Sequence, residues 1–380
     1  MLGGRGVVVK RSDRNEAVSS ESVSRGVPGR PRLSVSLGLW QDRPAAEVVR
    51  TAQVADELGY GEIWIGEMAT FDAFALGAVV AERTARASLT IGPLAVAVRD
   101  PVMIAMGAGS LAELTGRTVN VALGSSSPVV VEQWHGRRQE RTATALAESA
   151  AAVRTLLAGG KADVRGEVIS TRGFRLRTRA PGTPLTIAAF GRGAVKVAAR
   201  HADRMVINLV TPKAAARLVQ MLNEECQAAG RPVPPVAAWL ATVVDPSAAG
   251  IEQLRRGLVS YLSAPGYGEM FAEAGFGDLV GFARRRPHPG ELLAAIPAEL
   301  VGHVSLVGDE QAIRARLAEY AGAGVDEVAL VPGSSEADPA GVATLTALAL
   351  RCWRSREGQW AFIRRSGSGS TGTRASGATT

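Results

Sequence analysis

One feature constrains this chain more than any other. Eight short runs of branched apolar residues alternate with longer amphipathic runs across residues 33–350. The short runs are Leu33–Leu39, Glu62–Gly66, Leu89–Val96, Thr118–Leu123, Leu185–Phe190, Arg204–Leu209, Val236–Val244 and Glu327–Pro332. Stretches of that length and composition read as strands, and the amphipathic runs between them read as helices. A helix between successive strands forbids hairpin pairing and leaves parallel pairing through crossovers. The helix signals agree with this. Pro44 opens a first helix that Gly59 ends, and Asp100 stands as an N-cap before Pro101.

Parallel alternation admits either a doubly wound open sheet or a closed (β/α)8 TIM barrel. A dinucleotide-binding open sheet needs Gly-x-Gly-x-x-Gly after its first strand, and none occurs here. The expected fold is therefore α/β, a (β/α)8 TIM barrel. A helical insertion of about residues 247–296 stands between strand 7 and its helix, and a polar hairpin covers 163–178. Hydrophobic residues make up 46% of the chain and charged residues 21%, ample for a large core. The expected organisation is a disordered leader at 1–31, the barrel at 32–352 and a disordered tail at 353–380.

Several function classes fall away. The formal charge of +7 sits at the ends: residues 1–32 carry a net +4, residues 351–380 a net +5, and the stretch between them −2. No groove-reading motif accompanies that charge, so no nucleic-acid partner is expected. No apolar run reaches the ~18 residues of a membrane span, and the charged first 30 residues lack a signal-peptide core. Cys226 and Cys352 are far apart, and the four histidines show no metal-ligand spacing, so no metal site is expected. A cytoplasmic setting and a small-molecule substrate are expected.

A TIM barrel places its chemistry at the C-terminal ends of its strands. After strand 1 comes Trp40, which could wall a flat heteroaromatic ring or simply pack the rim. After strand 2 comes Glu67, a candidate acid or base, or else the ion-pair partner of a rim arginine such as Arg99. Pro93 inside strand 3 removes a ladder donor and predicts a bulge or a bend. The loop after strand 4 offers Ser125 and Ser126, followed by His135, which is either a second candidate for proton transfer or a packed turn residue. After strand 5, Phe190, Gly191, Arg192 and Gly193 lead into a helix. Free N–H groups at a helix start, with an arginine beside them, suit a phosphate, although a plain tight turn is the bland alternative.

Four segments taken together resemble the bacterial-luciferase-like superfamily: VADELGYGEIWIGE, RDPVMIAMGAGSLAELTGRTVNVALGSS, FGRGAVKVAARHADRMV and VGDEQAIRARLAEYAGAGVDEVALVP. GLWQDRPAAE and GEMATFDAF resemble its F420-dependent group. The resemblance implies an F420-dependent oxidoreductase moving a hydride to or from a small organic substrate, with an FMN-dependent monooxygenase or a non-catalytic binding barrel as alternatives. It implies a tricyclic ring near Trp40, Glu67 and the Leu94–Ala95 segment, where relatives often have a non-proline cis peptide. It also implies a phosphate on Ser125, Ser126 and the Phe190–Gly193 turn, and a homodimer. Many relatives carry a histidine where this chain has Met68.

Overall fold

In the computed structural model, residues 30–178, 180 and 182–349 are described. The expected leader lies outside them up to residue 29, as does the tail from residue 350 onward. In chain order the elements are β1 (Arg32–Ser36), α1 (Ala45–Leu58), β2 (Glu62–Ile65), α2 (Ala73–Arg83), β3 (Ser88–Ala95), α3 (Pro101–Thr115), β4 (Val119–Gly124) and α4 (Thr142–Leu157). A hairpin of β5 (Lys161–Arg165) and β6 (Ser170–Arg175) precedes β7 (Leu185–Ala188), α5 (Arg192–His201), β8 (Arg204–Asn208), α6 (Pro212–Ala229) and β9 (Val236–Val244). The insertion holds α7 (Ala248–Leu258), α8 (Tyr267–Phe271), α9 (Gly277–Arg284), α10 (Pro289–Ala295) and α11 (Ala298–Val304). Then come β10 (Leu306–Gly308), α12 (Glu310–Gly322), β11 (Glu327–Pro332) and α13 (Val342–Leu348).

Strands β1, β2, β3, β4, β7, β8, β9 and β11 pair in parallel around a ring, and β1 with β11 closes it. The chain is therefore a (β/α)8 barrel and not an open doubly wound sheet. Several details depart from the sequence expectation. The first strand stops at Ser36, and the fifth barrel strand stops at Ala188, so Phe190 belongs to the turn. The short β10 was not anticipated; it continues the ladder on β9 at Thr242–Val244, beyond Trp239 where β8 stops. The last helix is a 3-10 turn at Pro339–Gly341 followed by α13. Pro93 produces the expected irregularity: the β3–β4 register shifts between Ile91 and Leu94. Among the described residues no helix is long and apolar enough to cross a membrane.

Capping fixes where the helices begin. The carboxylates of Asp72 and Asp100 each accept two backbone N–H groups at the starts of α2 and α3, and the Thr211 hydroxyl accepts one at the start of α6. The outward faces of the strands pack against the helices in one continuous core. A smaller cluster of Trp64, Ala122, Val206, Ala237 and Ala329 fills the barrel interior.

Beneath that cluster the lumen is plugged by charge. Four barrel strands open on a charged residue: Arg32, Glu62, Arg204 and Glu327. The Arg204 side chain is 1% exposed. Its guanidinium lies 2.6 Å and 2.9 Å from the two carboxylate oxygens of Glu62 and 2.9 Å from Glu327. It also donates to the hydroxyls of Thr90 and Thr186, each at 3.2 Å, and lies 4.1 Å from the Trp64 ring centroid. Arg32 pairs with both glutamates. Burial works against the charge on Glu62, but Arg204 and Arg32 outweigh it, and the carboxyl is held down to about 2.

Removing one partner from such a pair leaves an uncompensated buried charge. We expect Glu62→Gln to cost roughly 3–5 kcal/mol at neutral pH. The Glu62 carboxyl titrates lower folded than unfolded, from an ordinary 4.5 to about 2. The stability it lends is thus complete above the unfolded value and is lost as pH falls through the interval between the two. Denaturant melts of both proteins from pH 7 downward should show the wild type losing more stability in acid than the variant. Parallel acid limbs would remove this account.

Candidate functional site at the C-terminal mouth

All eight barrel strands run the same way, so the loops that follow them gather at one end. Glu67, Arg99, Ser125, Ser126 and the Phe190–Gly193 turn therefore share the mouth opposite the Arg204 plug. Trp239 forms the interior just below it. Its ring meets Trp64 edge-on, with centroids 5.6 Å apart and planes at 87°, bridging β9 and β2, which are not neighbours in the barrel wall. A side chain at Gly66 would press on the Trp239 ring, its Cβ only 3.3 Å from Cη2. A Cβ at Gly124 would lie 3.3 Å from the Pro93 side chain and 3.4 Å from Ala188. The mouth is thus a basin of small residues with an indole in its floor.

Glu67 takes the ion-pair alternative. Arg99 grips both of its oxygens, with Nε 2.7 Å from Oε2 and Nη2 2.6 Å from Oε1, and the Ala73 amide donates to Oε1 at 3.2 Å. Arg99 also holds Asp72. Burial opposes charge on Asp72, but the Ala75 amide and Arg99 together keep its carboxyl below the ordinary range. Glu67 therefore ties the loops after β2 and β3 together. His135 is not brought to it. It is an exposed residue ending a π-turn at Val129–Trp134, and its imidazole makes no hydrogen bond to a described residue. Met68, in the place of the histidine of many relatives, is 52% exposed.

The expected ring contacts divide. The Trp40 indole lies over Gly38, where any side chain would collide with it, and donates to the Pro332 carbonyl at 2.9 Å, joining the loop after β1 to the end of β11. With Gln41, Arg43, Thr70, Phe71 and Ser334 it lines a cavity of about 240 Å³. Ala95 pairs with Gly124 at the basin wall. The Leu94 side chain points away from the mouth: past the bulge at Pro93 it is fully buried beside Leu123 in the helix-packed core. The cis peptide also lies elsewhere than expected, at Gly92–Pro93.

The phosphate candidates are open. The carbonyls of Ser125 and Ser126 accept the Gln139 amide at 2.9 Å and 3.0 Å, which clamps the loop and leaves both hydroxyls without a described partner. Gly191, Arg192 and Gly193 are exposed, and α5 starts with no side-chain cap on its free N–H groups. The Arg192 guanidinium is 81% exposed and 3.6 Å from Glu225. Phe190 stacks on Tyr267 of the insertion, with centroids 4.0 Å apart, and Tyr267 meets Tyr261, whose hydroxyl lies 3.5 Å from the Asn208 amide. Burial pushes both phenols above their ordinary range. Sequence reading missed Trp239, Tyr261 and Tyr267. The only signal was aromatic residues near the end of a strand run and in the insertion.

A Mycobacterium tuberculosis protein named for coenzyme F420-dependent oxidoreductase activity is 24% identical over 339 residues, spanning 80% of this chain and 96% of its own. Among solved structures, an F420-dependent secondary alcohol dehydrogenase bound to an F420–acetone adduct superposes with a TM-score of 0.71 at 15% identity, covering 86% of this chain and all of its own. An FMN-bound oxygenating component of 3,6-diketocamphane monooxygenase from Pseudomonas putida gives 0.61 at 15% identity, covering 84% and 96%. At those identities the structures speak for the fold alone. The family model described as luciferase-like monooxygenase matches residues 26–327, most of the barrel, and the chain belongs to that family.

Proposed function

We propose that this chain is an F420-dependent oxidoreductase that moves a hydride between the deazaflavin and a small organic substrate. The observation that carries the reading is the start of α5. Its N–H groups are uncapped and exposed beside Arg192, and they open onto the same mouth as a basin of small residues. That donor set fits a phosphorylated coenzyme: an anion suits a free helix start and a guanidinium, and the small residues at Gly66, Gly124 and Ala95 keep bulky side chains off the rim above Trp239. The M. tuberculosis relative favours F420 over FMN.

In this reading Ser125, Ser126, Gly191, Arg192 and Gly193 hold the phosphate, and Ala95 and Trp40 border the ring. When bound, the deazaflavin supplies a two-electron hydride acceptor and donor. Glu67 acts by position: with its oxygens held by Arg99 and an amide, it fixes the loops after β2 and β3. The insertion covers the mouth through Tyr261 and Tyr267 and keeps water from the site. His135 stands on the loop after β4, where closure of the mouth could bring it to substrate. The same phosphate site would take FMN, and that oxygenating alternative has an FMN-bound structural neighbour. We also propose a cytoplasmic homodimer. Val79 on α2 and Met103, Met106 and Leu114 on α3 are exposed apolar side chains on adjoining helices.

Fluorescence titration with F420 and with FMN tests the cofactor. Micromolar binding of F420 is expected, and tight FMN binding with no response to F420 would reverse the assignment. Arg192→Ala should weaken F420 binding by roughly 3–10-fold while leaving affinity for its dephosphorylated ring fragment unchanged. An equal loss for both ligands would take the phosphate away from Arg192. Glu67→Gln should lower anaerobic turnover of reduced F420 with small ketones and aldehydes by less than about 10-fold and keep the shape of its pH profile. A drop of ~100-fold or more with a missing ionisation would instead make Glu67 the acid or base.

A further inference from the structure

Two tryptophans share the barrel interior, and their indole N–H groups differ in one respect. The Nε1 of Trp64 donates to the Ser34 hydroxyl and to Glu327, each at 3.2 Å. The Nε1 of Trp239, one layer higher, is buried and has no acceptor. A buried donor without a partner is unfavourable, and native interiors rarely keep one. The apolar side chains packed about the two indoles are Ala122, Val206, Ala237, Ala329 and Ala188, and Gly66 meets the Trp239 ring across the lumen with no side chain. Asn208, beside Trp239 in the β8–β9 register, turns its amide N–H toward Tyr261 and makes no hydrogen bond to the indole. The neighbouring strand carbonyls are committed to the parallel ladders of β8, β9 and β11.

We propose that the Trp239 indole N–H is the donor reserved for a carbonyl-type oxygen of a bound molecule, and so a specificity-determining contact of the mouth. The inference rests on the cofactor reading above and extends it to a residue which that reading does not use. The recognised chemistry is a neutral or partly negative sp² oxygen held in an apolar, small-walled pocket. Two sources supply it: a carbonyl of the coenzyme ring, or the carbonyl of a small ketone or aldehyde substrate lying against the ring. An alcohol substrate would reach the same donor through its hydroxyl oxygen. Nε1 itself is shielded from solvent while the indole as a whole is half-buried. The acceptor therefore arrives as side chains at the mouth move aside.

The full chain, labelled with ¹⁵N only at its six tryptophan indoles, provides the test, with Trp239→Phe identifying the Trp239 signal. F420 is added first and propan-2-one second, with coenzyme fluorescence reporting binding independently. A downfield shift of the Trp239 Nε1–H with F420 alone identifies the ring as the acceptor, and a shift only on adding propan-2-one identifies the substrate oxygen. An unmoved Trp239 signal while F420 is demonstrably bound, with propan-2-one present, overturns the inference and leaves the cofactor reading standing. Failure of both F420 and FMN to bind overturns the cofactor reading and this inference with it. Trp239→Phe keeps most of the ring and loses only the donor, so it should raise the Kd of the identified ligand about 3–10-fold. Unchanged affinity in a variant with native circular dichroism would also overturn the inference. Were the variant unfolded, nuclear Overhauser contacts with the neighbouring Trp64 ring would identify the wild-type Trp239 signal, and the same shifts would decide between the outcomes.

Discussion

The structure depends on a buried guanidinium. Arg204 sits on the barrel axis with Glu62 on one side and Glu327 on the other, within 3 Å of both. Taking these charges out of water is costly, and only close mutual pairing with added hydrogen bonds offsets the cost. The hydroxyls of Ser34, Thr90 and Thr186 supply those bonds to the cluster. Because its members start β1, β2, β8 and β11, the cluster fixes the register of strands on both sides of the closing seam. Apolar side chains of similar volume could have filled the same space. A charged plug has narrower geometric demands, since a one-residue slip in any of these strands would turn its charge outward and strand its partners.

A solid lower lumen determines what the upper lumen can be. Trp64 stacks on Arg204, Trp239 stands on Trp64, and Gly66 faces the Trp239 ring from across the lumen. The rigid part of the molecule thus ends in a shallow floor, and every chemically active candidate lies on loops above it. This is the usual division in barrels, where a fixed scaffold aims variable loops. Here the loops are themselves braced. Glu67, Arg99 and Asp72 join those after β2 and β3, Gln139 clamps the one after β4, and Trp40 fastens the one after β1 to β11. The turn at Phe190–Gly193 is different: Phe190 stacks on the insertion, and Arg192 reaches Glu225 with a largely exposed guanidinium.

The fold was legible because its signals are local. Asp72, Asp100, Pro101 and Thr211 mark helix starts by capping chemistry that works within three residues. Pro93 announced its bulge for the same reason. Closure was not local: the pairing of Arg32 with Glu327 joins positions at opposite ends of the barrel sequence, and only the missing glycine motif argued for it in advance. The site was legible in outline and not in detail. Glu67 and Arg99 were both noticed, yet nothing in the spacing decides whether a rim carboxylate meets a cation or solvent. The outward turn of the Leu94 side chain was not legible, because a bulge reverses which face the next residues present. The four strand-opening charges were in plain view as Arg-Leu-Ser, Glu-Ile-Trp, Arg-Met-Val and Glu-Val-Ala, but isolated charges beside strands read equally well as solvated ends. Trp239 was hidden for the opposite reason: within an apolar run, an indole looks like core.

The exchange of a histidine for Met68 gains meaning from this arrangement. An imidazole after Glu67 could donate a proton or a hydrogen bond to a substrate oxygen, and a thioether can do neither. The oxygen of a carbonyl accepting hydride still needs a donor, because charge develops on it as the new bond forms. The nearest carboxylates are committed to Arg99, and the phenols of Tyr261 and Tyr267 are held by burial in their neutral, donating form. What remains around the basin is a set of neutral N–H and O–H donors, with the exposed His135 on the loop after β4. On the proposed reading such a site would stabilise developing charge by oriented dipoles and leave final protonation to solvent. The substrate on that reading is a carbonyl whose hydride adduct, a strongly basic alkoxide, takes its proton from water, and no leaving group has to be expelled.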